Sequence, residues 1–227
     1  MFKYVLFDLD GTLMNFNCAE SLAFKTVLDS YAIAYNEYIF NEYIRINNSL
    51  WNALTRCETT MYLIQTTRFS ELFKKFGYDI DGTEANKIYH ESLQNQYQLM
   101  PYALEVIREL SKIANLAIVT NGVTNTQKTR ISKSAISPYI SGIFISEEVG
   151  YEKPKIEFFN TVFRFFHNPQ LCDIIIVGDS LQSDIQGGIN AGICTCYYNP
   201  QNNNISEYIN PNYIISDLRE VVEIVNE

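Results

Sequence analysis

The sequence predicts an α/β fold, a parallel sheet covered by helices on both faces, with an all-helical module inserted after the first strand. Three observations predict it. The chain opens with an apolar run, Val5-Leu6-Phe7, that breaks into Asp8-Leu9-Asp10-Gly11-Thr12, as a buried strand ending in a polar turn does. Residues 16–98 then carry helix-period patterns and no convincing strand. From Met100 onward short apolar strands alternate with helices, the pattern of a sheet buried on both sides.

In the helical module, apolar residues recur at helical spacing over Cys18 to Tyr31, Glu37 to Leu54, Thr59 to Phe76 and Thr83 to Gln98. Gly77-Tyr78-Asp79 and Asp81-Gly82 break the pattern, and Thr83 is the candidate cap of the last helix. Its many Tyr and Phe residues read as core rather than as a ligand site. Beyond it, Pro101 opens a helix running to Lys112, where a missing amide costs nothing. Strands follow at Leu116 to Val119, Ile143 to Ile145, Asp173 to Val177, Ile193 to Tyr197 and Tyr213 to Ile215. Between and after them the pattern gives helices at Asn125 to Ser134, Pro154 to Phe166, Ser183 to Ala191 and Asp217 to Val225. The Asn-rich run from Pro200 to Asn204 is a loop. The expected division is 1–15 with 99–227 as core and 16–98 as the helical module.

Composition narrows the function classes. In 227 residues, 47% are apolar and 19% charged, which allows a packed core and argues against wholesale disorder. A formal charge of −9 argues against binding nucleic acid polymers, which needs a basic surface, and means an anionic substrate needs local cationic help. No stretch approaches the ~20 apolar residues that span a bilayer, and the first apolar run is too short for a signal peptide. The odd set Cys18, Cys57, Cys172, Cys194 and Cys196 reads as reduced thiols in a cytoplasmic chain. Cys194 and Cys196 share a face of one strand; with only His90 and His167 to join them, buried thiols are favoured over a zinc site.

The chemistry gathers at strand ends. Asp8 and Asp10, two apart, project together where the first strand runs out. At ~4 Å two such charges repel by about 1 kcal/mol in water and about 4 at an effective dielectric of about 20, so a cation or a proton is expected between them. The bland alternative is a hairpin turn with Asp10-Gly11 at its centre, though Thr12 to Asn17 does not alternate as a returning strand should. A second strand runs into Thr120-Asn121-Gly122, where a hydroxyl, an amide and helix N-terminal amides suit a phosphate or an ordinary turn. Lys153 stands beside Pro154, expected to begin a helix. Ile174 to Val177 ends in Gly178-Asp179-Ser180, adding a third carboxylate, and Asp184 either braces the site or compensates its helix dipole.

Oxygen-only ligands favour a hard ion, and Mg²⁺ fits best. Assembled, the parts describe phosphoryl transfer. Asp8 is the carboxylate nucleophile, and Asp10 protonates the leaving alcohol and then deprotonates the attacking water. Mg²⁺ and Lys153 neutralise the phosphoryl oxygens, with Thr120 and Asn121 adding hydrogen bonds.

In these motifs, Asp8-Leu9-Asp10-Gly11-Thr12, Thr120, Lys153, and Gly178-Asp179-Ser180 with Asp184, the chain resembles the haloacid dehalogenase-like hydrolases. The resemblance covers the whole chain. It implies a Rossmann-like core with a helical cap inserted after the first strand. It further implies direct Mg²⁺ ligation by Asp8, the Asp10 backbone carbonyl and Asp179, with Asp184 acting through water or by positioning Lys153. A narrower resemblance, to pyrimidine 5′-nucleotidases, rests on Tyr43 to Trp51, Ile145 to Lys153 and Val177 to Cys196. N-acylneuraminate-9-phosphatases look similar, and Glu152 replaces the family's usual apolar residue before Lys153. Asn47, Trp51 and Arg68 are cap candidates for base or sugar contact. Core packing or helix capping is the weightier reading of Asn47 and Trp51, and a surface ion pair the alternative for Arg68.

The function expected is therefore Mg²⁺-dependent hydrolysis of nucleoside 5′-monophosphates through an aspartyl-phosphate. Phosphatases of other small metabolites, such as a sugar phosphate or N-acylneuraminate 9-phosphate, are the alternative, with a phosphomutase behind them. The expected partner is a small phosphomonoester, with neither membrane nor nucleic acid, for a monomer or small homo-oligomer.

Overall fold

The structure, a computed structural model, describes residues 1–56, 58–203 and 208–227. Cys57 and the end of the Asn-rich run at Asn204 lie outside the described residues. The chain divides into two compact units, Met1–Phe16 with Tyr97–Glu227, and Asn17–Gln96.

The first unit is built on a six-stranded sheet, all parallel. Its strands are β1 (Tyr4–Phe7), β2 (Asn115–Thr120), β3 (Gly142–Ile145), β4 (Ile174–Gly178), β5 (Cys194–Tyr198) and β6 (Tyr213–Ile215), in the order β3-β2-β1-β4-β5-β6. Strand β1 lies between β2 and β4, with Leu6 in register with Ala117 on one side and Ile176 on the other. Both neighbours are parallel, so the turn at Asp10-Gly11 does not centre a hairpin. The chain leaves β1 for one half of the sheet and returns beside it for the other, which makes the carboxyl end of β1 the topological switch point.

Continuous apolar strands follow from burial on both faces. Val5, Phe7, Leu116, Ile118, Ile175 and Val177 face one core, shared with Val106, Ile107 and Leu110 of α5 (Ala103–Leu110) and Val221, Ile224 and Val225 of α10 (Glu220–Asn226). Their neighbours Leu6, Ala117, Val119, Ile174 and Ile176 face the other, filled by Phe158, Phe159 and Val162 of α8 (Ile156–Phe165). Cys194 and Cys196 share the first of these faces, and the four described cysteines are free thiols.

Several boundaries move. Helix α8 begins at Ile156 and not at Pro154. The stretch expected as one helix from Ser183 is a π-type turn, Leu181–Ile185, that runs into α9 (Gln186–Ala191). Such wide turns are rare and gather at functional sites. Helix α6 (Thr124–Lys133) follows β2 as expected, and an unexpected single turn, α7 (Ser146–Val149), follows β3.

The second unit holds most of α1 (Phe16–Ser30) and all of α2 (Glu37–Thr55), α3 (Met61–Lys75) and α4 (Gly82–Leu93). Asn36 and Thr60 cap α2 and α3 by accepting from the amides of Ile39 and Leu63. Asp81, not Thr83, caps α4: its carboxylate accepts from the Thr83 amide at 2.8 Å. The aromatic stripes are core, with Tyr43 stacked on Phe24 at 4.5 Å and on Phe69 at 5.4 Å between ring centres. Among the described residues no helix is long and apolar enough to cross a membrane.

Candidate active site

The carboxyl ends of β1, β2 and β4 bring together residues far apart in the chain. Asp8 follows β1 directly, its amide donating to Val177 of β4 at 2.9 Å. The chain then turns sharply, with the amides of Leu13 and Met14 returning to the Leu9 carbonyl. Gly11 sits at φ +92°, a conformation that side chains disfavour, and a Cβ there would overlap the Asp179 carboxylate. Thr12 Oγ1 donates to Asp179 Oδ1 at 3.2 Å and ties the turn to the end of β4.

Lys153 is buried among acids. Its Nζ donates to Asp8 Oδ1 at 2.8 Å, Asp184 Oδ1 at 2.6 Å and the Val119 carbonyl at 2.6 Å, which uses all three ammonium protons. Burial alone would lower its pKa; the Asp184 and Asp8 charges more than offset this, so the ammonium is retained. Asp184, fully buried, also accepts from the Ser180 amide at 3.0 Å. From the first turn of the π-type element it also reaches Lys153, so it braces the site as well as meeting that element's amino end. Gly178 makes this possible, because a Cβ there would overlap the Asp184 carboxylate.

Asp8, Asp179 and Asp184 each offer a carboxylate oxygen, all within 4.8 Å of one another. At that distance each like-charged pair costs about 3 kcal/mol at an effective dielectric of about 20. Burial raises the Asp8 carboxyl well above the usual carboxylate range; Lys153 opposes the rise, and Asp184 and Asp179 add to it. Asp179 is pushed up to about 7, first by burial and then by Asp184. Its residue surface is exposed, so solvent offsets part of the burial contribution. Against one ammonium, three ionised carboxylates leave an excess of two negative charges. An oxygen-only donor set with that excess suits a hard divalent cation.

Asp10 is placed differently from the expectation. Its carboxylate is not one of this acidic group; it pairs with Arg130 Nη1 at 2.6 Å and accepts from Gln127 Nε2 at 2.7 Å. Gln127 Nε2 also donates to Thr120 Oγ1 at 3.0 Å. Sequence reasoning missed both α6 residues. The available signal was a Gln and an Arg three apart on the helix that follows Thr120-Asn121-Gly122, which places them on one face.

Thr120 is buried at the tip of β2, where the motif put it. The Asn121 side chain, expected to meet phosphate, instead grips the backbone of Lys153: Oδ1 accepts from its amide and Nδ2 donates to its carbonyl, each at 2.9 Å. Two of the amides expected to be open for an anion are also engaged. Gly122 N–H donates to Ser146 Oγ at 3.2 Å and Thr124 N–H to Glu147 Oε2 at 2.7 Å, both acceptors belonging to α7.

The three cap candidates lie in the second unit. Arg68 is buried and makes no ion pair among the described residues. It donates to Asn86 Oδ1 from Nε at 2.9 Å and Nη2 at 2.6 Å, and its guanidinium lies 4.3 Å from the Tyr89 ring centre. Asn47 is buried too, donating to Glu20 Oε1 at 2.8 Å and accepting from Arg68 Nη1 at 3.4 Å. Arg68 and Asn47 thus belong to a polar network inside the helical unit. Trp51 is half-buried on α2.

Comparison with known proteins now adds to this geometry. The family of haloacid dehalogenase-like hydrolases matches residues 5–198. The HAD-hydrolase YfnB of Bacillus subtilis is 37% identical over 99% of this chain and 96% of its own. The crystal structure of YfnB, described as bound to magnesium, superposes with a TM-score of 0.95 at 36% identity, covering 100% of this chain and 99% of the other. The pyrimidine 5′-nucleotidase PynA of Streptococcus pneumoniae is 31% identical over 100% of this chain and 96% of its own. A second pyrimidine 5′-nucleotidase, YjjG of Escherichia coli, is 28% identical over 98% and 97%. With a family match across most of its length, this chain belongs to the haloacid dehalogenase-like hydrolases.

Proposed function

We propose that the protein is a Mg²⁺-dependent phosphomonoesterase that releases phosphate from nucleoside 5′-monophosphates through an aspartyl-phosphate on Asp8. The observation that carries this reading is the Asp8, Asp179 and Asp184 group at the switch point of the sheet, with Lys153 bound to Asp8 and Asp184. Full-length similarity to two pyrimidine 5′-nucleotidases supports the choice of substrate. Asp8, Asp179 and the Asp10 backbone carbonyl would hold Mg²⁺, with Asp184 behind them. The ion, when bound, supplies positive charge that neutralises the carboxylates and the phosphoryl oxygens.

The chain's own groups do the rest. Lys153, held by Asp184 and the Val119 carbonyl, orients the Asp8 carboxylate through Oδ1. An Asp8 oxygen attacks phosphorus, the bond to the 5′ oxygen breaks, and that oxygen takes a proton from the Asp10 carboxyl. Asp10, now ionised, takes a proton from the water that attacks the phosphoryl group, and the Asp8 carboxylate is released. Thr120 offers a hydroxyl to the phosphoryl oxygens, and Asn121 serves by fixing Lys153.

Phosphate release measured across nucleoside monophosphates, sugar phosphates and N-acylneuraminate 9-phosphate, with Mg²⁺ and with EDTA, tests the proposal. Pyrimidine 5′-monophosphates should lead, and EDTA should abolish turnover. A protein inert toward all of them in Mg²⁺, or equally active in EDTA, overturns it.

A further inference from the structure

The Asp10 carboxylate is held from behind by two groups of α6. Arg130 is fully buried and Asp10 keeps a fifth of its side chain open to solvent, so the donors lie on the protein side and one face of the carboxyl stays accessible. Every polar atom of the Gln127 amide is committed: Nε2 to Asp10 Oδ2 and Thr120 Oγ1, and Oε1 to Arg130 Nη1 at 2.9 Å. That pattern fixes which way the amide points, because only its nitrogen can meet a carboxylate and only its oxygen a guanidinium. Gly122 completes the arrangement. A Cβ at Gly122 would press on the Gln127 side chain, so the glycine of Thr120-Asn121-Gly122 makes room for Gln127.

We propose that Gln127 and Arg130 are positioning residues for Asp10, fixing the rotamer of its carboxyl group at the end of β1. This rests on the phosphatase reading above. A purely structural role is the weaker account of the geometry. Burying a guanidinium costs several kcal/mol, and a buried ion pair gives little net stability over apolar packing of the same volume. Proton transfer, by contrast, gains from a donor held to within a hydrogen bond's tolerance.

The test compares uridine 5′-monophosphate, whose alkoxide needs a proton to leave, with 4-nitrophenyl phosphate, whose leaving group does not. Arg130→Met should lower kcat/KM for the nucleotide by about 100-fold and for the aryl phosphate by less than about 10-fold. Gln127→Leu should lower them in the same ratio but less, and Arg130→Lys should recover part of the loss. In an Asp10→Asn background neither substitution should cost anything further. Equal losses on both substrates, or additional losses in that background, overturn the proposal. If Arg130→Met does not fold, Gln127→Leu decides alone. A crystal structure of Gln127→Leu gives a readout independent of turnover: Asp10 should spread over more than one rotamer while Asp8 stays on Lys153, and a single unchanged Asp10 rotamer overturns the proposal. Wild-type protein inert on both phosphates in Mg²⁺ defeats the phosphatase reading instead, and the rotamers still decide the hold on Asp10.

Discussion

Asn121 and Lys153 are joined by two reciprocal hydrogen bonds, side-chain amide to backbone peptide, across 32 positions of sequence. The pair anchors the backbone from which the Lys153 ammonium reaches Asp8, so the lysine is aimed by its main chain as well as by its acids. Removing both bonds by Asn121→Ala should cost about 1–3 kcal/mol of stability without any ligand present. Denaturant unfolding checks this. An unchanged midpoint with a raised KM would return Asn121 to direct phosphate contact.

The crowding of Asp8, Asp179 and Asp184 predicts how a cation acts on the fold. Mg²⁺ should raise the melting temperature, because an ion bound only by the native state stabilises it by mass action. Asp179→Asn should remove most of that response and, in EDTA, melt no lower than wild type, since it relieves like-charge repulsion. Calorimetry with and without Mg²⁺ reads both effects. A full Mg²⁺ response in Asp179→Asn would contradict ligation there.

Gly11→Ala meets two penalties at once, a left-handed backbone at φ +92° and overlap with the Asp179 carboxylate. The backbone contribution alone is about 1–2 kcal/mol. The substitution should therefore destabilise the fold and also weaken the Mg²⁺ response, because Asp179 has to move. Loss of stability with an unaltered Mg²⁺ titration would separate the turn from the site.

His90 predicts an acid-side weakness in the helical unit. Burial, followed by the Arg68 charge, lowers its pKa to about 3 from an ordinary value near 6.5. A folded-state pKa below the unfolded one contributes stability that is fully present above about 6.5 and is lost as pH falls towards 3. The slope over that window is at most about 1.4 kcal/mol per pH unit for one proton. His90→Gln should flatten the fall in stability between those limits. Urea midpoints for the two proteins from pH 7 to 4 check it, and parallel curves would rule the histidine out.

Much of this is legible in the sequence. Val5-Leu6-Phe7 and Ile174-Ile175-Ile176-Val177 announce strands buried on both faces because nothing in them is polar, and each ends in a carboxylate and a small-residue turn. Strand periodicity therefore placed Asp8, Thr120 and Asp179 at one edge. What stayed hidden depends on partners distant in sequence. Asp10 looked like the mate of Asp8, since spacing tells which way side chains point but not that a helix brings its own cation, Arg130. Arg130 and Lys133 near the end of α6 resemble ordinary dipole-compensating bases, and only burial tells them apart. The sequence likewise leaves Arg68 between substrate contact and a surface ion pair, and does not show that Asn86 and Tyr89 receive it. The turn α7 was missed because four residues are too few to show a period.

The place of β1 in the sheet has a consequence for biosynthesis. Strand β1 occupies the interior of the sheet, and one of its two neighbours, β4, is separated from it by some 170 positions. Until the ribosome has delivered residues as far as Asp184, the Asp8 side chain has neither its lysine clamped nor its acidic companions. Closing so long a loop sets the pace at which Asp8, Lys153 and Asp184 come together.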